Sequence, residues 1–492
     1  MNKNYMKYLI RSWKVTVIFF AALFFGLAAT PMINSYDSAS AYRASLEIMS
    51  IEAAALTFIL PVLLFSFAHR RRSADLFFSL PVSRMAQLIT NLVFAFCTIY
   101  GFFLITSLLL WIPYGNHVFP FAGVLAINAT AALTIAALLL VHSCWYLIAN
   151  NIFDGIVMIA SWSFLPLLIY VVVNSFADNM IAGQNGTVLG DICMWLSPLA
   201  MGVRNMFELS SWPDVDVKLY YDILLALWAL VGAAGLYWHF VRRKSERAEQ
   251  LSDDPLAYPF IINVYALGIL VIMACELVHD ASLSFITLYL ILLFIYVVAQ
   301  FVYNRKIRLT KKIFITFGAL TLISLIFAQA AFRTRGFGLG NRFSLDQGTN
   351  MRIDYSAVVD KDDISRLIIR DDTGIKYDYE QEAYVNFTLY MPVSEYENNP
   401  MLKEMMNRYR EDSISLFYSQ RKNLSRNARI NFMNSNRSYN FYTNNYYYPL
   451  DKAFSLEDLK FIDSLPYGDV LIQSNDMDKE LSLSQWLARK GN

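Results

Sequence analysis

The chain has 492 residues, of which 56% are hydrophobic and 16% are charged, and its formal net charge is +1. Soluble globular proteins carry about 45–50% apolar and about 25% charged residues, so this composition predicts a polytopic membrane protein. Neither half of the chain is basic enough to indicate nucleic-acid binding, so we expect no nucleic-acid partner. The four cysteines are scattered without a CxxC spacing, which predicts neither a metal site nor a disulfide framework.

Nine apolar runs are long enough to cross the hydrocarbon core of a membrane, for which roughly 20 residues are needed. A mixed apolar and basic stretch at residues 4–14 precedes them and is typical of an interfacial helix on the membrane surface. The predicted spans are residues 15–33, 48–68, 88–112, 121–148, 156–176, 221–240, 260–277, 283–302 and 313–332.

Clusters of Lys and Arg predict which side of the membrane each loop occupies, because such clusters stay on the cytoplasmic side. They occur at residues 70–72, 242–244 and 304–312. All three fall on the cytoplasmic side when nine spans are counted from a cytoplasmic amino terminus. The odd number of spans then predicts a multi-pass protein of the plasma membrane with an extracellular carboxyl-terminal domain.

That domain, residues 333–492, holds 21 Lys and Arg and 23 Asp and Glu, so it is far more polar than the spans. Apolar residues alternate from residue 384 to 391, which predicts a half-buried strand, and helical periods follow. Ser455 with Asp458 predicts a capping box at a later helix. We therefore expect an extracellular α+β domain. Residues 423–448, rich in Asn, Ser and Tyr, predict a long loop or an edge hairpin.

The connecting segment, residues 69–84, joins the second and third spans and reads HRRRSADLFFSLPVSR. Ser73 is a candidate helix cap, and Asp75 then lies in the first turn, where the helix dipole favours a carboxylate. Pro81 lacks an amide donor and predicts that the helix stops after about two turns. The alternative is a turn lying on lipid headgroups. One face of the predicted helix carries three apolar residues: Leu76, Phe77 and Leu80.

Polar or small residues within the spans have two interpretations each. Glu52 could line a translocation path or reach the outer surface, because a carboxylate is costly inside a membrane unless it is paired or wetted. His142 could relay protons or bond a neighbouring helix. Gly232 and Gly235 could permit close packing of helices within the chain or between two copies.

Two further observations bear on the mechanism. The sequence contains no GxxxxGK[ST] phosphate loop, so we expect the chain to hold no nucleotide itself. We also expect no cofactor and no enzymatic activity in this chain. Residues 192–203 form an apolar piece too short to cross, which predicts an outer-leaflet or re-entrant helix before the sixth span.

The order of these elements resembles the permease subunits of the second class of ABC exporters. The run D-x-x-x-S-L-P-V-S-R from Asp75 to Arg84 is similar to that of antibiotic-resistance and bacitracin-type permeases of Gram-positive bacteria. The resemblance covers roughly the first half of the chain. It implies that the connecting segment is a coupling helix and docks on a separate ATP-binding subunit that holds ATP and Mg. The implied docking residues are Asp75, Leu76, Phe77, Phe78, Leu80, Pro81 and Arg84.

The resemblance also implies a division of the chain and an assembly. Residues 1–244 would form a six-span permease core, residues 245–332 a linker with three additional spans, and residues 333–492 the extracellular domain. A second permease copy or a paralogue would complete a dimer surrounded by membrane lipid. The implied activity is export of a drug, a peptide or a lipid-like compound.

Two other classes of protein remain open from the sequence. A polytopic membrane enzyme, such as a lipid-linked glycosyltransferase, would require acidic residues in its outer loops for catalysis or metal binding. The first outer loop offers only Asp37. A membrane sensor would explain the carboxyl-terminal domain but not the number of spans.

Overall fold

Long helices make up most of the described chain in a computed structural model. Helices are numbered α1 to α16 and strands β1 to β6 in chain order. The structure describes residues 2–34, 38–115, 120–181, 196–210, 219–250, 252, 254, 256–279, 284–339, 350–364, 382–418, 428–436, 439–447, 454–466, 468–474 and 480–490.

Nine helices among the described residues are long and apolar enough to cross a membrane, in agreement with the nine predicted spans. The chain is therefore a multi-pass helical membrane protein. The helices of this part are α1 (Lys3–Ala28), α2 (Thr30–Asn34), α3 (Ser38–Phe65), α4 (Arg71–Phe78), α5 (Arg84–Leu110), α6 (Phe121–Ile148), α7 (Ile152–Met180), α8 (Pro198–Ser210), α9 (Leu219–Leu236), α10 (Tyr258–His279), α11 (Ser284–Asn304) and α12 (Lys311–Arg333).

The first helix is continuous where the sequence predicts an interfacial helix followed by a span. No Pro occurs in α1 and its only Gly is Gly26, so nothing in the sequence breaks the helix near residue 14. At 1.5 Å per residue it is about 39 Å long, against about 30 Å of hydrocarbon core. The Tyr5 hydroxyl donates to Asn91 Oδ1 of α5 at 3.3 Å, and the Asn2 amide donates to Thr90 Oγ1 at 3.2 Å. A separate interfacial helix is therefore absent from the described residues.

The predicted re-entrant piece, residues 192–203, begins outside the described residues. What is described is α8, which starts after Ser197, whose hydroxyl accepts the Ala200 amide at 3.1 Å. α8 lies tightly against α6, because a Cβ on Gly202 would be 2.6 Å from Cγ2 of Thr134.

The described chain divides into two compact units, and the division cuts across α7, α10 and α11. The predicted domain boundaries after residues 244 and 332 do not coincide with it and stay predictions. The first unit comprises Met1–Tyr170, Asp191–Tyr265 and Val298–Arg308, and the second comprises Val171–Gly190, Ala266–Val297 and Leu309–Asn492.

The second unit contains a six-stranded antiparallel sheet in the order β4-β3-β1-β2-β5-β6. The alternating residues of β2 are buried in its core, as their period predicts, and the Ser455–Asp458 capping box is present. The predicted edge hairpin is β3 with β4; parts of residues 423–448 lie outside the described chain. The elements are β1 (Asn350–Asp360), β2 (Glu382–Pro392), α13 (Val393–Asn398), α14 (Pro400–Phe417), β3 (Ala428–Asn436), β4 (Tyr439–Tyr447), α15 (Leu456–Asp463), β5 (Gly468–Ser474), β6 (Leu481–Ser482) and α16 (Leu483–Lys490).

Candidate functional site at the connecting segment

The connecting segment forms the short helix α4, which begins two residues before its predicted cap. A turn of 3₁₀ helix ends at His69, and Arg70 has an extended backbone, so the helix starts at Arg71. The Arg70 carbonyl accepts the Ala74 amide at 2.8 Å, and no side chain caps this end. The predicted Ser73 cap is therefore wrong, and so is the predicted place of Asp75 in the first turn, which holds no acidic residue. The helix ends at Phe78, three residues before Pro81, as the proline predicts.

Two aromatic residues of α4 anchor it to the rest of the first unit. The Phe77 ring stacks on Phe67 with centroids 4.5 Å apart, and Phe78 meets Phe240 edge to face at 5.9 Å. The Phe77 carbonyl accepts Nε2 of Gln87 at 2.7 Å. Aromatic pairs of this kind add about 0.5–1.5 kcal/mol beyond the burial of their area. Phe77 and Phe78 therefore face inward, and both are half-buried.

The opposite side of α4 is open. Leu76 is 64% exposed, and Arg72 and Asp75 beside it are also exposed. Leu80 is half-buried and Pro81 is exposed. The structure thus separates the predicted docking residues into an anchoring group and an outward group, with Leu76 as the outward apolar side chain of α4.

Arg84 belongs to the anchoring group, although the resemblance implies that it docks on a partner. Its guanidinium lies 4.5 Å from the ring centroid of Phe78, a cation–π contact. Its Nη1 donates to the Val241 carbonyl at 3.2 Å and also to the carbonyl of Arg243. Arg84 therefore ties the connecting segment to the residues that follow α9.

Arg243 is buried, although in the sequence it is only one member of the basic cluster at residues 242–244. Its Nη1 donates to the Leu147 carbonyl at 2.9 Å, and its Nη2 donates to the Ala149 carbonyl at 3.0 Å. Both carbonyls lie at the carboxyl end of α6, where the helix dipole favours a positive charge. Burial lowers the pKa of Arg243 to about 10, which still leaves the guanidinium charged at neutral pH. Its position within Arg242–Lys244 gave no signal that this residue turns inward.

Residues 242–256, the polar segment between the sixth and seventh spans, are called the linker from here on. The linker is hydrogen-bonded to α4 and to the turn between α6 and α7. Nε of Arg71 donates to the Ala248 carbonyl at 3.0 Å. The Glu249 amide donates to the Asn150 carbonyl at 2.8 Å, and the Ser252 hydroxyl donates to the Ile148 carbonyl at 2.9 Å. The described part of this polar linker is therefore a packed element. Its order comes from backbone carbonyls, which no sequence motif marks.

His142 and Glu52, the candidate path residues, lie within the spans, on α6 and α3. Nδ1 of His142 is 3.0 Å from Oγ1 of Thr57, and its ring is 4.2 Å from Phe58, so the imidazole is bonded to a neighbouring helix. Among the described residues, neither Nε2 of His142 nor Oε2 of Glu52 has a hydrogen-bond partner. No hydrogen bond within the described chain joins the two residues.

The small-residue patch of α9 is used within the chain. A Cβ on Gly232 would lie 2.8 Å from the Val141 amide nitrogen, and one on Gly235 would collide with Sγ of Cys144. Both contacts are with α6. Close packing inside the subunit therefore accounts for these two glycines.

Within the described part of the chain, no group of three or more His, Cys, Asp or Glu side chains could hold a metal ion.

Comparison with protein-family models, with curated proteins and with solved structures found no match to this chain. The fold therefore defines a class and no family: a multi-pass membrane protein of apolar helices, with a short amphipathic helix on the connection between two spans.

Proposed function

We propose that this chain is the permease subunit of a type-2 ABC exporter, and that a separate ATP-binding subunit drives it by docking on α4. One observation carries the proposal: α4 is fixed to its own protein through Phe77 and Phe78 and leaves Leu76, Arg72 and Asp75 exposed. Because one face of α4 packs on its own protein and the other face is exposed, a partner could bind the exposed face and displace the whole helix.

The contacts of α4 suit the transmission of a push to the spans on either side. Phe67 belongs to the turn that ends the second span, and Gln87 belongs to α5, the third span. Phe77 contacts both of them. Displacement of α4 would therefore move the ends of two spans together, which is what an exporter needs to convert ATP hydrolysis into a change of access.

The proposed function also includes a topology, a cargo and a second permease subunit. Lys and Arg clusters support a cytoplasmic amino terminus and an extracellular α+β domain formed by residues 333–492. ATP and Mg would be held by the partner subunit. The cargo would be a drug, a peptide or a lipid-like compound, and a second permease copy or a paralogue would complete the pathway.

Purification of the tagged chain in mild detergent, alone and co-expressed with candidate ATP-binding subunits from the neighbouring reading frames, tests the proposal. We expect no ATP hydrolysis by the chain alone and turnover by the complex. Leu76→Asp should reduce the amount of ATP-binding subunit recovered per folded permease. Ile307→Asp is the matched control, because Ile307 is an exposed apolar residue (91%) of another basic loop. Robust hydrolysis by the lone chain, or equal recovery with both variants, would overturn the proposal.

A further inference from the structure

Arg305, at the end of α11, makes two contacts that fasten the added spans to the linker. Its Nη1 donates to the Glu249 carbonyl at 3.2 Å, and its Nη2 lies 3.3 Å from Oδ2 of Asp154. The other carboxylate oxygen of Asp154 accepts the Tyr258 hydroxyl at 2.8 Å. We call this group, Arg305, Asp154, Tyr258 and the Glu249 carbonyl, the clasp. It joins the starts of α7 and α10, the end of α11 and the linker.

The clasp is one peptide away from the contact between the linker and α4. The Glu249 carbonyl accepts from Arg305, and the preceding carbonyl, that of Ala248, accepts from Arg71 of α4. Ala248 is fully buried. Arg305, at the end of α11, and Arg71, at the start of α4, therefore donate to two consecutive backbone carbonyls of the linker. Displacement of α11 would move the carbonyl that Arg71 contacts.

Both residues of the central contact have a strained backbone. Glu249 has φ of 66° and Arg305 has φ of 50°, in the left-handed region that residues other than glycine rarely adopt. Such conformations persist only when the surroundings hold them, and they are concentrated at switch regions. Here each strained residue is held by the other, because the Arg305 guanidinium bonds the Glu249 carbonyl.

The ion pair is suited to opening and closing. Asp154 is nearly buried, with 7% of its side chain exposed, whereas 44% of the Arg305 side chain is exposed. A partly exposed ion pair contributes little net stability, since water and salt compete for its charges. If Arg305 moves away, the Asp154 carboxylate still accepts hydrogen bonds from Tyr258 and Asn151, so it is not left buried without a donor.

We infer that the clasp is a latch through which α10 and α11 set the position of the linker and thereby regulate α4. The inference rests on the proposed role of α4 as the docking helix. Closed, the latch holds Ala248 against Arg71 and keeps α4 in one orientation. Open, it releases Glu249 from its strained conformation and frees the linker. The added spans are thus a control element for the coupling step.

The latch is tested first on the chain alone, in a cysteine-free background that carries Ala248→Cys. Maleimide should label this buried site slowly in the closed chain. Arg305→Ala should raise the labelling rate about fivefold, the factor expected for loss of a partly exposed ion pair with its hydrogen bond. Arg308→Ala is the matched control, because it removes the same charge from an exposed arginine of the same loop. Equal rates in the two variants would overturn the latch, and Ser252→Cys supplies a second reporter if position 248 does not accept cysteine.

The second test uses the complex with the ATP-binding subunit in nanodiscs. Arg305→Ala should change the rate of ATP hydrolysis at least about twofold while the ATP-binding subunit stays bound at the unaltered ratio. Arg305→Lys, which keeps the charge beside Asp154 but not the two-pronged contact, should give a smaller change. Unchanged hydrolysis in Arg305→Ala would remove the regulatory role. If no ATP-binding subunit binds the unaltered chain, the proposed function fails, and the labelling result still decides whether the clasp controls the linker.

Discussion

Phe77 stacks on Phe67 with their ring centroids 4.5 Å apart. Phe77 is one of the predicted docking residues, but its ring packs on its own protein. Leu76, its neighbour in sequence, is 64% exposed. Adjacent residues of one short helix therefore differ in environment: Phe77 packs on its own protein, and Leu76 is exposed. Substitutions at the two positions should separate stability from the proposed docking.

Phe77→Ala should lower the free energy of unfolding by about 2 kcal/mol, less than the 3–5 kcal/mol typical of a fully buried aromatic residue, because Phe77 is half-buried. Leu76→Ala should change it by no more than about 0.5 kcal/mol. Thermal unfolding in detergent, followed by tryptophan fluorescence, measures both. Equal losses of stability in the two variants would show that the stacked contact does not anchor α4.

Gly232→Ala should destabilise the chain by about 1–3 kcal/mol, because the new methyl group would meet the backbone of α6 at Val141. Gly101→Ala provides the control: nothing lies within 4 Å of the added Cβ, and the change should stabilise α5 by up to about 1 kcal/mol. The same unfolding assay compares them. A neutral Gly232→Ala together with a loss of dimer would instead assign the patch to contacts between copies.

Arg243→Met should cost about 3 kcal/mol, because it removes two charge-assisted hydrogen bonds and leaves the Leu147 and Ala149 carbonyls without their donor. Arg242→Met should cost about 0.5–1 kcal/mol, since Arg242 is exposed and stacks on Trp238 at 4.1 Å. Yield of monodisperse protein and its unfolding temperature measure the difference. Similar behaviour of the two variants would contradict the structural role of the buried guanidinium.

Glu249→Gly should stabilise the chain by about 1 kcal/mol, because glycine adopts φ of 66° without strain and still supplies the carbonyl that Arg305 bonds. Glu246→Gly removes the same charge from a position without a positive φ, and it should destabilise by up to about 1 kcal/mol. Opposite signs in the unfolding assay are the expected result. A loss of stability at both positions would mean that the Glu249 side chain matters more than its backbone.

The proposed topology predicts that cysteines on the two sides of the membrane react differently with an impermeant maleimide on intact cells. In a cysteine-free background, Ser356→Cys should be labelled, because Ser356 is exposed on β1 of the proposed extracellular domain. Gln250→Cys, also exposed but in the linker, should be labelled only after lysis. Labelling of both positions, or of neither, on intact cells would show that the count of spans or their direction is wrong.

The parts of the fold that the sequence predicts are those with a local period. The alternation in β2 places Val385, Phe387 and Leu389 on one face whatever the rest of the chain does, and the Ser455–Asp458 capping box lies within a single turn. The helix cap at Ser73 failed for an equally local reason. The 3₁₀ turn before Arg70 leaves that residue extended, so Arg70 takes the cap position and the helix starts at Arg71.

The site was only half predictable, because its contacts join residues far apart in sequence. A helix of eight residues shows which side chains share a face, but not whether Phe77 turns toward Phe67 or toward a partner. Arg305 and Asp154 are 151 positions apart, and Arg305 looks like any other cation of a basic loop. Arg305 also donates to the Glu249 backbone carbonyl, a group that every residue carries, so no residue pattern reveals this contact.

The unbroken first helix has a mechanical consequence. Its amino end is fastened to α5 near the connecting segment through Tyr5 and Asn91, and it continues without a hinge to Ala28. A rod of about 39 Å turns a small tilt at one end into a sideways displacement at the other, about 3.4 Å for each 5° of tilt. Because Phe24 of α1 also contacts Phe102 of α5, with ring centroids 6.0 Å apart, we expect the two helices to tilt together across the bilayer.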